Sequence, residues 1–217
     1  MWAPIRSTGD SRTEWDSHHH FQIRWRRIYY EGVREPEKVI RKSCDWVHQG
    51  INSHNFVFLH VNERQVEFTF PILQRFQYSR PKLAPSINQA VDDIAFAVYR
   101  HPSRQGTGRQ GHTKMHDLYS LGVVLLEIGL WQSALDIVQV NEKEFRSIKA
   151  EKMKSRLLAA STTRLNHCAG AAYQQAAHAC LSSDSGVAVD DSDKSQLANA
   201  VQRLVIQRLS IGIKPRC

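Results

Sequence analysis

Two acids on one apolar segment are the most pointed chemistry in this sequence. Asp117 and Glu127 lie within 116–131, where apolar residues at 118, 121, 124, 125 and 128 fall at helical spacing and 123, 126 and 130 fill the other faces. A helix that is apolar nearly all round must be wrapped by protein or lipid. Asp117 sits in the first turn, where the helix dipole favours an acid. Glu127 sits in the body and must be paired, in the core or beside a groove, because an unpartnered buried acid is costly. His48 has a ring suited to proton transfer, but nothing near it in sequence completes a relay, so it reads as a satisfied core histidine. His18-His19-His20 carry metal-ligating rings, yet no cysteine or carboxylate framework supports them, and they read as part of a polar arm. Between Arg75 and Lys114 stand seven Lys/Arg (75, 80, 82, 100, 104, 109, 114) against Asp92 and Asp93, a net +5. Such a run is either a solvated loop or a dock for an acidic or phosphorylated partner.

The elements that must position these groups follow from periodicity. Residues 1–35 mix charges with Trp15, Trp25, Tyr29 and Tyr30 and form an unassigned arm. Val39, Ile40, Cys44 and Val47 predict a short helix over 37–46, after Pro36. Phe56-Val57-Phe58-Leu59 is a strand run, 62–65 a turn, and Val66, Phe68 and Phe70 alternate with polar residues, so 55–70 reads as a β-hairpin. Residues 79–114 hold three of the seven prolines and a Gly/Gln/Arg-rich patch at 105–111, and predict an extended, mobile segment. The buried helix covers 116–131. A charged amphipathic helix over 141–160 would turn Phe145, Ile148, Leu157 and Leu158 inward, and further helices cover 168–181 and 194–210. An acidic, Ser-rich connector spans 182–192. There are no internal repeats.

The bulk numbers are those of a globular chain. At 217 residues and 41% hydrophobic content it is long enough to bury one core. Its net charge of +8 permits acidic partners. Aromatics interleaved for base stacking are few, which argues against nucleic acid. The buried helix is too short and too interrupted by acids to span a bilayer, and the start Met1-Trp2-Ala3-Pro4-Ile5-Arg6 has no apolar signal core. Cys44, Cys168, Cys180 and Cys217 form no Cys-x-x-Cys pair and read as free thiols, so the expected location is the cytosol or nucleus.

The pattern His116-Asp117-x-Tyr119-Ser120-Leu121-Gly122-Val123-Val124-Leu125-Leu126-Glu127 resembles the buried helix at the centre of the protein-kinase large lobe. With it go His48-x-Gly50-Ile51-x-Ser53-x-Asn55, Phe76-x-Tyr78-Ser79-Arg80-Pro81 and Tyr99-Arg100-His101-Pro102-x-Arg104-Gln105-Gly106. Together they are similar to fungal kinase-like domains, which often follow a prion-inhibition and propagation (HeLo-type) domain in heterokaryon-incompatibility and immune-type proteins. The resemblance covers roughly residues 44–210, and residues 1–40 are unmatched.

In protein kinases a loop Asp beside the substrate hydroxyl, an Asn and an Asp on Mg²⁺, and a Lys on the phosphates do the chemistry. On that resemblance His48 and Asn55 match the catalytic loop, Gln49 replaces its Arg, Gly50 its Asp, and Asn52 its Lys-like residue. Arg75-Phe76-Gln77 stands at Asp-Phe-Gly, so a cation that would repel the metal, though it could meet a phosphate, replaces a metal-holding carboxylate. His101-Pro102-Ser103 stands at Ala-Pro-Glu. Asp117 matches the family's Asp, whose carboxylate accepts backbone N–H bonds from the catalytic loop. No glycine-rich loop and no strand Lys in a Val-Ala-x-Lys setting precede residue 48.

The expected fold is therefore mainly α with a short β-hairpin: a kinase-like large lobe over 36–212, its small lobe largely absent. His48 and Asp117 are structural, and Asn55 is a remnant of a metal and nucleotide site. No residue is catalytic, no metal set is complete, and no cofactor is expected, since Gly50 and Arg75 undercut the ATP·Mg²⁺ that the resemblance implies. Arg100, Arg104 and Arg109 are the candidate contacts to a protein partner, acidic or phosphorylated. The expected function is a pseudokinase binding or regulatory module. The alternatives are an active or split kinase that phosphorylates Ser/Thr, with Asp92 or Asp93 standing in for the lost acids, and a truncated product with no stable fold.

Overall fold

A computed structural model describes residues 46–62, 65–76, 79–81, 94–105, 111–140, 144, 147–182 and 194–212. The arm at 1–35, most of the helix expected over 37–46, Asp92, Asp93, Arg109 and Phe145 lie outside them. The described residues are mainly helical. In chain order they form β1 (Trp46–Val47), β2 (Phe56–Asn62), β3 (Gln65–Leu73), β4 (Arg80–Pro81), α1 (Ile94–Ala97), α2 (Lys114–Leu130), α3 (Ala134–Val138), α4 (Ala150–Thr163), α5 (Leu165–Ala169), α6 (Ala171–Ser182) and α7 (Lys194–Val201). A π turn at Gln202–Ile206 then leads into α8 (Gln207–Gly212).

Helix α2 is the post around which the rest is arranged. Every residue from Leu118 to Leu130 is buried. Its start is fixed by His116, whose Nδ1 accepts the Thr113 N–H at 2.9 Å. Its end is fixed by Trp131, which turns left-handed at φ 56°. Gly122 and Gly129 are seven residues apart, two turns along one face, and both are close-approach positions. A Cβ on Gly122 would lie 2.9 Å from Cys180 Cβ and from Leu181 Cγ, on α6. A Cβ on Gly129 would collide with Leu165 and lie 2.8 Å from Tyr173 Cε1. Tyr173 uses that proximity to donate its hydroxyl to the Leu125 carbonyl at 2.8 Å. Helix α6 is thus pressed backbone to backbone against α2, and α4 and the 202–212 segment pack on α6 in turn.

The strands pair in two antiparallel ribbons. In the hairpin, Phe56 faces Leu73, Val57 faces Ile72 and Leu59 faces Glu67, with register shifts between Val57 and Leu59 and between His60 and Asn62. Phe58 is buried, while Leu59 and Ile72 are exposed. In the second ribbon, Trp46 pairs with Pro81 and Val47 with Arg80. Trp46 is therefore strand, where the sequence predicts the end of a helix.

Three expectations are corrected. Residues 94–105 are not extended: Ile94–Ala97 is helical, Pro102–Arg104 is a 3-10 turn, and Val98 and Tyr99 between them are 1% and 4% exposed. An aliphatic and an aromatic anchor bind this stretch to the core despite Pro102 and its two arginines. The helix expected over 141–160 is interrupted: Glu144 is helical, 147–149 are not, and a helix then runs from Ala150 to Thr163. The helix expected over 168–181 begins at Ala171, because Gly170 at φ 83° ends the short α5 before it.

Candidate functional site

The site is built where the turn after β1 meets the start of α2. Asp117 Oδ2 accepts the His48 N–H at 2.6 Å, and its Oδ1 accepts the Gln49 N–H at 3.0 Å. His112 Nε2 lies 2.9 Å from the same Oδ1. Gripped this way, Gln49 sits at φ 63°, a left-handed conformation that a side-chain-bearing residue adopts at a cost.

His48 is turned inward. Its Nδ1 accepts the Gly50 N–H at 3.2 Å, so the neutral ring carries its proton on Nε2. Nε2 is buried and makes no hydrogen bond. Burial lowers the His48 pKa, with the Asp117 carboxylate pulling the other way. The ring meets Phe76 edge-on, centroids 4.6 Å apart. Phe76 is 60% exposed, and its neighbour Arg75 is exposed at φ 68°.

The loop then closes on itself. Asn55 Nδ2 donates to the Gly50 carbonyl at 2.6 Å, Asn52 Nδ2 donates to the same oxygen at 3.2 Å, and Asn52 Oδ1 caps the Asn55 N–H at 3.1 Å. The Gln74 N–H donates to the Asn55 carbonyl at 2.8 Å, tying the loop to the residue before Arg75. Gly50 is not a glycine by necessity. A Cβ there would meet nothing nearer than 3.5 Å, from Asn55 and His48, and its φ lies outside the left-handed range.

A second acid stands behind this loop. Glu127 Oε1 accepts the Tyr99 hydroxyl at 2.7 Å and the Ala134 N–H at 2.8 Å. The Tyr99 hydroxyl is also 2.7 Å from Ser53 Oγ, and Ser120 Oγ donates to the Tyr99 carbonyl at 2.8 Å. One tyrosine therefore joins the loop, the 94–105 stretch and the central helix. Glu127 is 2% exposed and its Oε2 has no hydrogen-bond partner. Burial raises its pKa to about 7, against the Tyr99 and Ala134 hydrogen bonds. Burial and Glu127 together push the Tyr99 phenol well up.

His48, Gly50, Asn55 and Asp117 are thus brought together, with Arg75 and Phe76 joined to them through Gln74. Arg100 and Arg104 are elsewhere, and Arg104 is only 8% exposed. That burial corrects its expected place on a docking surface: its side chain belongs to the interior. Ser53 and Tyr99 are members that residue types alone do not reveal. Chemically the site holds a loop in place. Its nearby carboxylate, Asp117, is occupied by backbone donors, and position 50 projects no side chain. Among the described residues no group of three or more His, Cys, Asp or Glu could hold a metal ion, and no helix is long and apolar enough to cross a membrane.

No family model matches this chain, and no curated protein or solved structure matches it.

Proposed function

We propose that this chain is a degenerate protein-kinase-like large lobe that works as a binding or regulatory module in the cytosol or nucleus, without phosphoryl transfer. The observation that carries this reading is the Asp117 carboxylate bound to two consecutive backbone N–H groups of the loop whose position 50 is a glycine. An acid on the buried helix organises a loop as a catalytic loop is organised. The proton acceptor that phosphoryl transfer needs is missing from it. Arg75 adds a cation where the kinase resemblance would place a metal-holding acid.

The test is a thermal melt of the purified chain with and without Mg·ATP, followed by a phosphate-transfer assay. A ligand that binds only the folded state raises the midpoint. We expect a cooperative melt that ignores nucleotide and no transfer above background. A dose-dependent rise, with transfer that changes on substitution of Gly50, would sink the reading.

One observation favours a second reading, a split kinase completed by another chain. Leu59, Ile72 and Phe76 are apolar side chains 57%, 41% and 60% exposed on the hairpin and just beyond it. A partner carrying a glycine-rich loop and a strand Lys would cover them and supply the groups this chain lacks. Transfer activity that arises only on mixing with such a partner distinguishes the two.

A further inference from the structure

Two imidazoles pin the Pro102–Arg104 turn against the start of α2 and against α4. The Thr113 N–H donates to His116 Nδ1 at 2.9 Å. His116 Nε2 lies 3.0 Å from Ser103 Oγ, and Ser103 Oγ lies 2.9 Å from His101 Nδ1. His101 Nε2 lies 3.1 Å from Lys154 Nζ. The two ring centres are 5.3 Å apart, and His101 stands edge-on to Tyr119 at 5.1 Å.

These contacts need neutral rings. A backbone N–H can only donate, so His116 Nδ1 is an acceptor, and a second proton on that ring would face the Thr113 N–H. At His101 the single proton can sit on either nitrogen without changing the conclusion. A ring protonated on both has no lone pair left and turns an N–H toward the Lys154 ammonium. The charged and titratable groups that bear on the pair are Lys154 and Glu151 from α4, Tyr119 and Asp117 from α2, His112 just before α2, and Arg104 from the turn. Burial first, then the Lys154 charge, lowers His101 to about 4. Burial first, then His112, His101 and Arg104, lowers His116 to about 3, with Asp117 pulling the other way.

The pinned stretch reaches the His48 loop through Tyr99, whose hydroxyl is 2.7 Å from Ser53 Oγ and donates to Glu127 Oε1 at 2.7 Å. We propose that His101 and His116 form an acid-released latch: protonation frees residues 97–105 from α2 and α4 and, through Tyr99, slackens the loop at 50–55, while the central helices stay packed. The latch does not depend on what the loop binds. Both rings hold a proton more weakly in the closed form than at their ordinary 6.5. Closure is therefore favoured above pH 6.5, and that advantage is lost as pH falls toward 4. Between pH 7 and 5 this amounts to roughly twentyfold in the opening equilibrium for each ring. Glu127 faces Tyr99, has its pKa raised to about 7, and gains its proton over the same range. It opposes opening by up to about fortyfold, so the net release is about tenfold or more.

The experiment is hydrogen exchange of the full chain at pH 7 and pH 5, read by peptide mass spectrometry and corrected for the intrinsic rate at each pH. Protection of 97–105 and of 50–55 should fall about tenfold or more at pH 5, while 121–130 keeps its own. Protection kept in either segment, or an equal loss in 121–130, would overturn the proposal. In the double variant His101→Gln with His116→Asn, an uncharged amide oxygen takes over as acceptor in each ring's place. Its 97–105 protection should not fall at pH 5; a fall like the native one would count against the latch. A variant already open at pH 7 leaves the decision to the native chain, through an NMR titration of its imidazole Cε1 protons. His101 and His116 should stay neutral for as long as 97–105 stays protected. Either ring titrating near 6.5 in the protected state would overturn the latch.

Discussion

Asp117 Oδ2 takes the backbone N–H of His48 at 2.6 Å across 69 residues of chain. A carboxylate spent on main-chain donors fixes geometry and does no proton transfer. It holds the loop in a conformation that Gln49, at φ 63°, would not choose alone. Charge-assisted hydrogen bonds of this kind contribute about 1.5–3 kcal/mol each, and leaving a partly buried N–H unmet costs a similar amount. Asp117→Ala should therefore lower unfolding free energy by about 3 kcal/mol, and Asp117→Asn, which keeps one acceptor oxygen, by roughly half of that. Urea denaturation of the three proteins checks it. Equal stability would mean that the loop is held by other contacts.

Gly50 offers the reverse case. Nothing lies within 3.5 Å of a Cβ built there, and its backbone conformation suits any L-residue. Replacing such a glycine restricts the unfolded chain and stabilises by about 0.4–1 kcal/mol. Gly50→Ala should fold at least as well as the native protein. Gly50→Asp should fold too, but still transfer no phosphate, because Arg75 remains where the resemblance needs a second acid. Denaturant midpoints and a transfer assay on both variants decide this. A large loss of stability in Gly50→Ala would show that the loop is tighter than it looks.

The two helix glycines should behave in the opposite way. Gly122 and Gly129 let α2 approach α6, and added methyls would meet Cys180, Leu181, Leu165 and Tyr173. Overpacking typically costs 1–3 kcal/mol. Gly129→Ala should be the worse of the two, near the upper end of that range, because its methyl collides with Leu165 and displaces the ring that bonds to Leu125. Midpoint shifts in urea rank them, and a neutral Gly129→Ala would contradict the packing described.

How much of this was legible beforehand depends on where the information lies. The central helix was plain from its apolar spacing, and the hairpin from Phe56–Leu59 followed by alternation. The gathering of His48, Asn55 and Asp117 was visible only through motif resemblance, because no periodicity reports a contact across 69 residues. The 94–105 stretch was misread because it was taken together with the Gly-, Gln- and Arg-rich residues that follow it and the prolines at 81 and 85 that precede it. Its fold is decided by Tyr99, whose partners Glu127 and Ser53 lie 28 residues ahead and 46 behind. Arg104 was misplaced for a related reason: a charged residue in a cationic run is expected at the surface, and only tertiary structure reveals that it is buried.

Glu127 makes the interior sensitive to pH. Its folded pKa is raised from 4.5 to about 7. A raised carboxyl pKa means that the folded state holds its proton more tightly than the unfolded state. The stability this confers is fully present below about pH 4.5 and is lost as pH rises through 7, by roughly 3 kcal/mol at 1.36 kcal/mol per unit. His101 and His116 run the other way. Their folded pKa values, about 4 and about 3, lie below the ordinary 6.5, so their contribution is present above 6.5 and lost on acidification. The two slopes place the stability maximum near pH 6 to 7, falling on both sides. Glu127→Gln isolates one of them. Gln keeps an oxygen for the Tyr99 hydroxyl and the Ala134 N–H and cannot ionise. Measured by urea unfolding from pH 4.5 to 8.5, the native protein should lose roughly 3 kcal/mol relative to the variant between pH 4.5 and 7, and the two curves should run parallel above that. Curves parallel across pH 4.5 to 7 as well would mean that Glu127 does not titrate in this range.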